Sequence, residues 1–91
     1  MDLGLAGKTA LVCASTSGLG RATAAALAAD GVTVVITGRS EDRVAQVAAE
    51  LPGAVGIACD LVAPGGVDRL IEATRAAVGD PDVLVLNGPG P

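Results

Sequence analysis

Apolar residues along this chain gather into four short continuous runs, and between them lie three longer stretches where they recur at every third or fourth position. The runs are Lys8 to Ala14, Val32 to Thr37, Ala54 to Cys59 and Val83 to Leu86. A strand covered on both faces has no polar side to show, so it reads as unbroken apolar sequence. The second run, Val-Thr-Val-Val-Ile-Thr, is also strongly β-branched. The periodic stretches predict helices over 18–30, Glu41 to Leu51 and about Val67 to Val78. Their apolar stripes would be Leu19, Ala22, Thr23, Ala26 and Leu27; Val44, Val47, Ala48 and Leu51; and Val67, Leu70, Ile71, Thr74 and Val78. Gly31, Pro52-Gly53 and Gly79-Asp80-Pro81 end them. Ser40 is placed to cap the second helix, and Glu41 and Asp42 suit its positive end.

Strand and helix thus alternate as βαβαβαβ with short loops, the pattern of an α/β fold with a doubly wound parallel sheet and right-handed crossovers. A change of winding direction between the first and fourth strands would give the order 3-2-1-4. Ligands in such sheets bind outside the carboxyl ends of the strands, beside that change of direction. Residues 14–20, 38–40, 60–61 and 87–90 all fall at that edge.

Composition narrows the reading. Ninety-one residues make one domain at most, and the chain shows no internal repeat or linker. It is 51% hydrophobic without a single aromatic residue, so its core must be Ala, Val, Leu and Ile. The net charge is −4, and Lys8, Arg21, Arg39, Arg43, Arg69 and Arg75 are scattered singly. No basic patch results, which argues against nucleic acid and anionic membrane surfaces as partners. No signal peptide is visible, and no apolar run approaches the roughly eighteen residues of a membrane helix, so a soluble, cytoplasmic protein is expected. Cys13 and Cys59 match no metal-ligand spacing and are expected to be buried, reduced thiols in strands.

The chemistry points to Ala14-Ser15-Thr16-Ser17-Gly18-Leu19-Gly20, between the first strand and the first helix. A helix start leaves backbone N–H groups unpaired and carries about half a positive charge. Gly18 and Gly20 put no side chain between that backbone and a phosphate. Ser15, Thr16 and Ser17 can donate to phosphate or ribose oxygens. The plainer alternative is a strand-to-helix turn that uses glycine for geometry alone.

Together these residues resemble the N-terminal part of the short-chain dehydrogenase/reductase family. The family's Thr-Gly-x-x-x-Gly-x-Gly corresponds to Cys13-Ala14-Ser15-Thr16-Ser17-Gly18-Leu19-Gly20, its Asp after strand three to Asp60, and its Asn-Asn-Ala-Gly to Leu86-Asn87-Gly88-Pro89. Ala14 stands where the family has its first glycine. The strand-four motif also departs, which places the chain near the 3-oxoacyl-carrier-protein-reductase-like branch. The resemblance implies a Rossmann-like sheet, incomplete here as the N-terminal half of the family's fold.

It also implies roles. Leu19 and Gly20 would offer amides to a dinucleotide's pyrophosphate, and Ala14, Ser15, Thr16, Ser17 and Gly18 would line its adenosine side. Asp60 would accept from the adenine amino group, with Leu61 against the ring; the plainer alternative is that Asp60 caps the loop before the third helix. Asn87 and Gly88 would line the ribose or shape the strand end. Arg39, with Ser40 beside it, decides the cofactor. NAD sites place a carboxylate after the second strand to accept from the ribose 2′-hydroxyl. Here none comes before Glu41, and a guanidinium can pair with a 2′-phosphate through two hydrogen bonds. NADP(H) is therefore expected over NAD, the alternative being that Arg39 is a solvated charge at the helix start. Arg21, Arg43, Arg69 and Arg75 read as solvated surface charges.

The family's downstream Ser, Tyr and Lys have no counterpart in a chain without tyrosine or histidine and with Lys8 as its one lysine. Turnover by these residues alone is not expected. The fold would also stop half built, with one sheet edge open. Two readings follow: the cofactor-binding segment of a carbonyl/alcohol reductase, homo-oligomeric at full length, or a non-catalytic nucleotide-binding fragment or regulatory remnant needing a partner chain.

Overall fold

The computed structural model describes residues 4–16 and 18–85. Its elements are β1 (Thr9–Val12), α1 (Gly18–Ala29), β2 (Thr33–Gly38), α2 (Glu41–Glu50), β3 (Val55–Ala58), α3 (Gly66–Val78) and β4 (Val83–Val85). They form one parallel sheet in the order β3-β2-β1-β4. Thr9 to Val12 run beside Thr33 to Ile36 on one side, and Ala10 to Val12 beside Val83 to Val85 on the other. Val35 to Gly38 run beside Val55 to Ala58. Fold class and strand order match what the sequence implies, and each apolar run holds a strand; β3 and β4, however, alternate half-buried with exposed residues because they are the sheet's edges, and Leu86 lies outside the described residues.

The pleat sorts each strand's residues onto two faces. Ala10, Val12, Val34 and Ile36 meet Ala24 and Ala28 of α1 and Val44 and Val47 of α2. Leu11, Cys13 and Val35 meet Leu70 of α3 on the opposite face. Thus α1 and α2 cover one side and α3 the other, and the winding reverses between β1 and β4. Both central strands are buried over nearly their whole length, which is why they carry no alternation.

The α1 stripe sits one position away from the expected one. Its buried residues are Gly20, Ala24 and Ala28, whereas Leu19 is 74% exposed. In a helix made mostly of alanine, hydrophobicity barely distinguishes one face from the next. Closeness of approach decides instead, and the face with the smallest residues goes down onto the sheet. The α2 stripe holds, with Val44 and Val47 buried and Ala48 and Leu51 half-buried. On α3, Leu70 and Thr74 are buried while Val67 and Ile71 stay exposed.

Both cysteines fall just beyond strand ends and are free thiols; Cys13 is buried, whereas Cys59 is only half-buried. Burial, and then the neighbouring Cys59, pushes the Cys13 thiol up from its ordinary range. No described helix is long and apolar enough to cross a membrane.

The Thr37 hydroxyl is buried without a hydrogen-bond partner among the described residues. An unpaired buried hydroxyl costs about 1–3 kcal/mol. Thr37→Val replaces it with a methyl group of similar shape. Thermal unfolding should show the variant more stable by about 1 kcal/mol, within the range set by that penalty.

Candidate functional site

The site grows from the carboxyl ends of β1 and β2. Beyond β1, the Cys13 N–H donates to the Val85 carbonyl of β4 at 3.0 Å. Two residues later the chain has turned to the other neighbour, and the Ser15 N–H donates to the Thr37 carbonyl at 2.9 Å. Ala14 makes that change of side with φ at +52°, the one non-glycine residue in left-handed backbone among those described. Such backbone costs an L-residue about 1–2 kcal/mol. Ala14→Gly removes that strain, and the greater freedom of the unfolded chain takes back about 0.5–1 kcal/mol of the gain. The variant should unfold at a temperature a few degrees higher, read by circular dichroism.

Ser15 is fully buried, and its hydroxyl serves the protein rather than a ligand. Its Oγ accepts from the Thr37 N–H at 2.8 Å and donates to the Thr37 carbonyl at 3.3 Å. The side chain so continues the sheet beyond the end of β1 and fixes the level at which α1 begins. The half-buried Thr16 presses its methyl against Gly38, where a Cβ would stand 2.9 Å from Thr16 Cγ2. Its carbonyl accepts from Arg43 Nη2 at 3.3 Å. Ser17 lies outside the described residues.

Gly18 and Gly20 do different work. Gly18 has φ at +58° and nothing within 4 Å of where a Cβ would be. It opens the first turn of α1, whose leading amides have no acceptor one turn back. Gly20 is buried, and a Cβ there would run into the Ala14 carbonyl oxygen and lie 3.0 Å from its carbon and 3.1 Å from Ser15 Cα. Gly18 gives access, and Gly20 lets α1 sit close on the end of β1. The exposed Leu19 side chain leaves its own amide on the open turn.

Arg39 and Ser40 are exposed directly after β2. The Ser40 hydroxyl accepts from the Arg43 N–H at 3.3 Å and so caps α2. The Gly38 carbonyl accepts from the Cys59 N–H at 2.8 Å, which carries the edge on to β3. There Asp60 is exposed and its Oδ1 accepts from the Val62 N–H at 3.0 Å. Leu61 packs onto the α3-side core rather than standing clear. A cavity of about 620 Å³ lies between β3 and α3, and of the expected residues it includes Asp60 alone. Asn87 and Gly88 lie outside the described residues.

Three residues that were not among the expected site residues belong to this edge, Thr37, Arg43 and Gly66, and Gly38 stands there as expected. Gly66 repeats the Gly20 arrangement, since a Cβ there would run into the Asp60 carbonyl. The signal for Gly66 was its spacing from Asp60, the same as that of Gly20 from Ala14. Arg43 read as a solvated surface charge; it is exposed, but its guanidinium is tied to the Thr16 carbonyl.

The sequence model of the short chain dehydrogenase family matches residues 8–90. The chain belongs to the short-chain dehydrogenase family. Among its relatives is a 3-oxoacyl-(acyl-carrier-protein) reductase of Aquifex aeolicus, 38% identical over 96% of this chain and 37% of the relative. An L-xylulose reductase of Mesocricetus auratus is 37% identical over 96% of this chain and 34% of that protein. Among solved structures, the L-sorbose reductase of Gluconobacter frateurii, complexed with NADPH and L-sorbose, superposes with a TM-score of 0.92. It is 35% identical over 99% of this chain and 36% of its own. The chain therefore spans little more than a third of the length of these short-chain dehydrogenase relatives.

Proposed function

We propose that this chain is the cofactor-binding unit of an NADP(H)-dependent short-chain oxidoreductase acting on a small carbonyl/alcohol pair. Residues 1–91 make one dinucleotide-binding segment in this reading, and the enzyme works in the cytoplasm as a homo-oligomer. The observation that carries the proposal is the open turn at Gly18. It stands at the carboxyl edge of the parallel sheet, on the first turn of a helix, beside the change of winding. That is where helix amides and dipole favour a diphosphate.

The residues present fit such a group. The amides of Leu19 and Gly20 would hold the pyrophosphate. Gly18, Thr16 and Ser17 would flank the adenosine side on a loop that Ala14 and Ser15 fix in place, and Asp60 would accept from the adenine. Asn87 and Gly88 would line the ribose. Arg39 and the Ser40 hydroxyl would take the 2′-phosphate. When bound, the nicotinamide supplies or accepts the hydride. Reduction also needs a proton, and the 91 residues contain no tyrosine or histidine to give one. In this reading the chain binds and orients the cofactor, and proton transfer belongs to groups outside these residues. The L-sorbose reductase structure, with NADPH bound, supports the choice of cofactor by its likeness.

A direct titration tests the proposal. The chain has no Trp, Tyr or Phe, so reduced-nicotinamide fluorescence is read without a protein background. Saturable one-to-one binding of NADPH is expected, tighter than NADH by about tenfold or more, as a charge-assisted phosphate contact would give. A folded chain that binds neither nucleotide overturns the reading.

A further inference from the structure

We propose that Arg43 is a second determinant of the preference for a 2′-phosphorylated dinucleotide, acting beside Arg39; this rests on the functional reading above. Charge at this edge is left unmatched. Arg21 is paired with Glu50, and Arg75 with Asp80. Arg39, Arg43 and Arg69 have no carboxylate partner among the described residues, although the chain as a whole is acidic; Arg69 lies across the sheet on α3, and only Arg39 and Arg43 stand together beyond the end of β2.

Arg43 is nonetheless placed. Its backbone N–H donates to the Ser40 hydroxyl, and its Nη2 donates to the Thr16 carbonyl. One guanidinium nitrogen thus reaches the β1–α1 loop from the first turn of α2, at the point where Thr16 covers Gly38. A guanidinium carries five N–H donors, so most of this one's donors remain available at the seam between the two loops. The seam runs between Thr16, which flanks the adenosine side of the proposed ligand, and Arg39, which follows Gly38 directly.

The neighbouring charges favour a second guanidinium. Glu41 and Asp42 are both exposed in the first turn of α2. Their formal charges cancel those of Arg39 and Arg43. A 2′-phosphate adds nearly two further negative charges to that turn. With Arg39 alone the turn would already be net negative before the phosphate arrived. With Arg43 the turn is neutral, and two forks can share the phosphate oxygens.

The wild-type chain, Arg43→Gln and Arg43→Lys are titrated with NADPH and with NADH at low ionic strength, with circular dichroism confirming the fold of each. Arg43→Gln should weaken NADPH about tenfold and leave NADH within about twofold, as loss of a charged contact predicts. Arg43→Lys should keep most of the NADPH affinity through its charge. Equal weakening of both nucleotides in Arg43→Gln would make Arg43 a brace for the Thr16 loop and overturn the inference. Unchanged NADPH affinity would overturn it too. If the wild type prefers NADPH and loses that preference in Arg39→Gln but not in Arg43→Gln, this inference fails while the functional reading stands. A wild type that binds neither nucleotide overturns both.

Discussion

Gly20→Ala should unfold far below the wild type and bind no nucleotide. The single added carbon has no room, because the Ala14 carbonyl oxygen occupies its place and the Ala14 carbonyl carbon and Ser15 Cα stand within about 3 Å. These are backbone atoms held by the Ser15–Thr37 hydrogen bonds, so they cannot swing away as a side-chain tip would. Relief requires lifting α1 from the end of β1. Overpacking of this kind costs about 1–3 kcal/mol and sometimes more, and the better helix propensity of alanine returns at most about 1 kcal/mol. A net loss of about 2 kcal/mol lowers the unfolding midpoint by roughly 8–16 °C in a domain of this size. A chain this short has little stability in reserve. Thermal unfolding followed by circular dichroism checks the size of the drop. Gly18→Ala is the comparison: nothing lies near its absent Cβ, so its cost is confined to left-handed backbone, about 1–2 kcal/mol. A Gly20→Ala variant as stable as wild type would show that α1 can shift on the sheet.

Arg39→Gln should separate the two nucleotides. Arg39 is exposed at the end of β2 and makes no ion pair among the described residues, so its removal disturbs no protein contact. The unfolding temperature should hardly move. Hydrogen bonds to a charged group contribute about 1.5–3 kcal/mol, which corresponds to a loss of roughly ten- to a hundredfold in NADPH affinity. NADH lacks the 2′-phosphate and should bind the variant as it binds the wild type. Raising the salt concentration should shrink the difference, because the contact is at the surface. Titration of both nucleotides at two ionic strengths reads all of this. An Arg39→Gln chain that keeps its full preference for NADPH would place the phosphate elsewhere.

How much of this was legible before the structure depends on what kind of force decides each feature. The central strands could be read because burial on both faces erases polar residues from β1 and β2 altogether. The α2 stripe could be read because Val44 and Val47 stand among charged residues. The α1 face could not, since alanines surround it and close approach at Gly20, Ala24 and Ala28 decides which side goes down. In the site, the glycine loop and Arg39 were visible as types at a spacing. That Ser15 would turn inward to Thr37 was not, because a serine in a loop carries no mark of which partner its hydroxyl will find. Arg43 was hidden for a related reason: its reach to Thr16 depends on how far α2 lies from the first loop, a tertiary distance.

Gly20 and Gly66 make the same fitting on opposite sides of the sheet, each setting the root of a helix against a backbone carbonyl two residues beyond a strand end. The two helices are thus pinned at the carboxyl rim of the sheet like spokes set into a hub. From these two fittings the helices run away toward the opposite rim, ending at Ala29 and Val78, so a side chain added at either glycine would tilt a whole helix about its start.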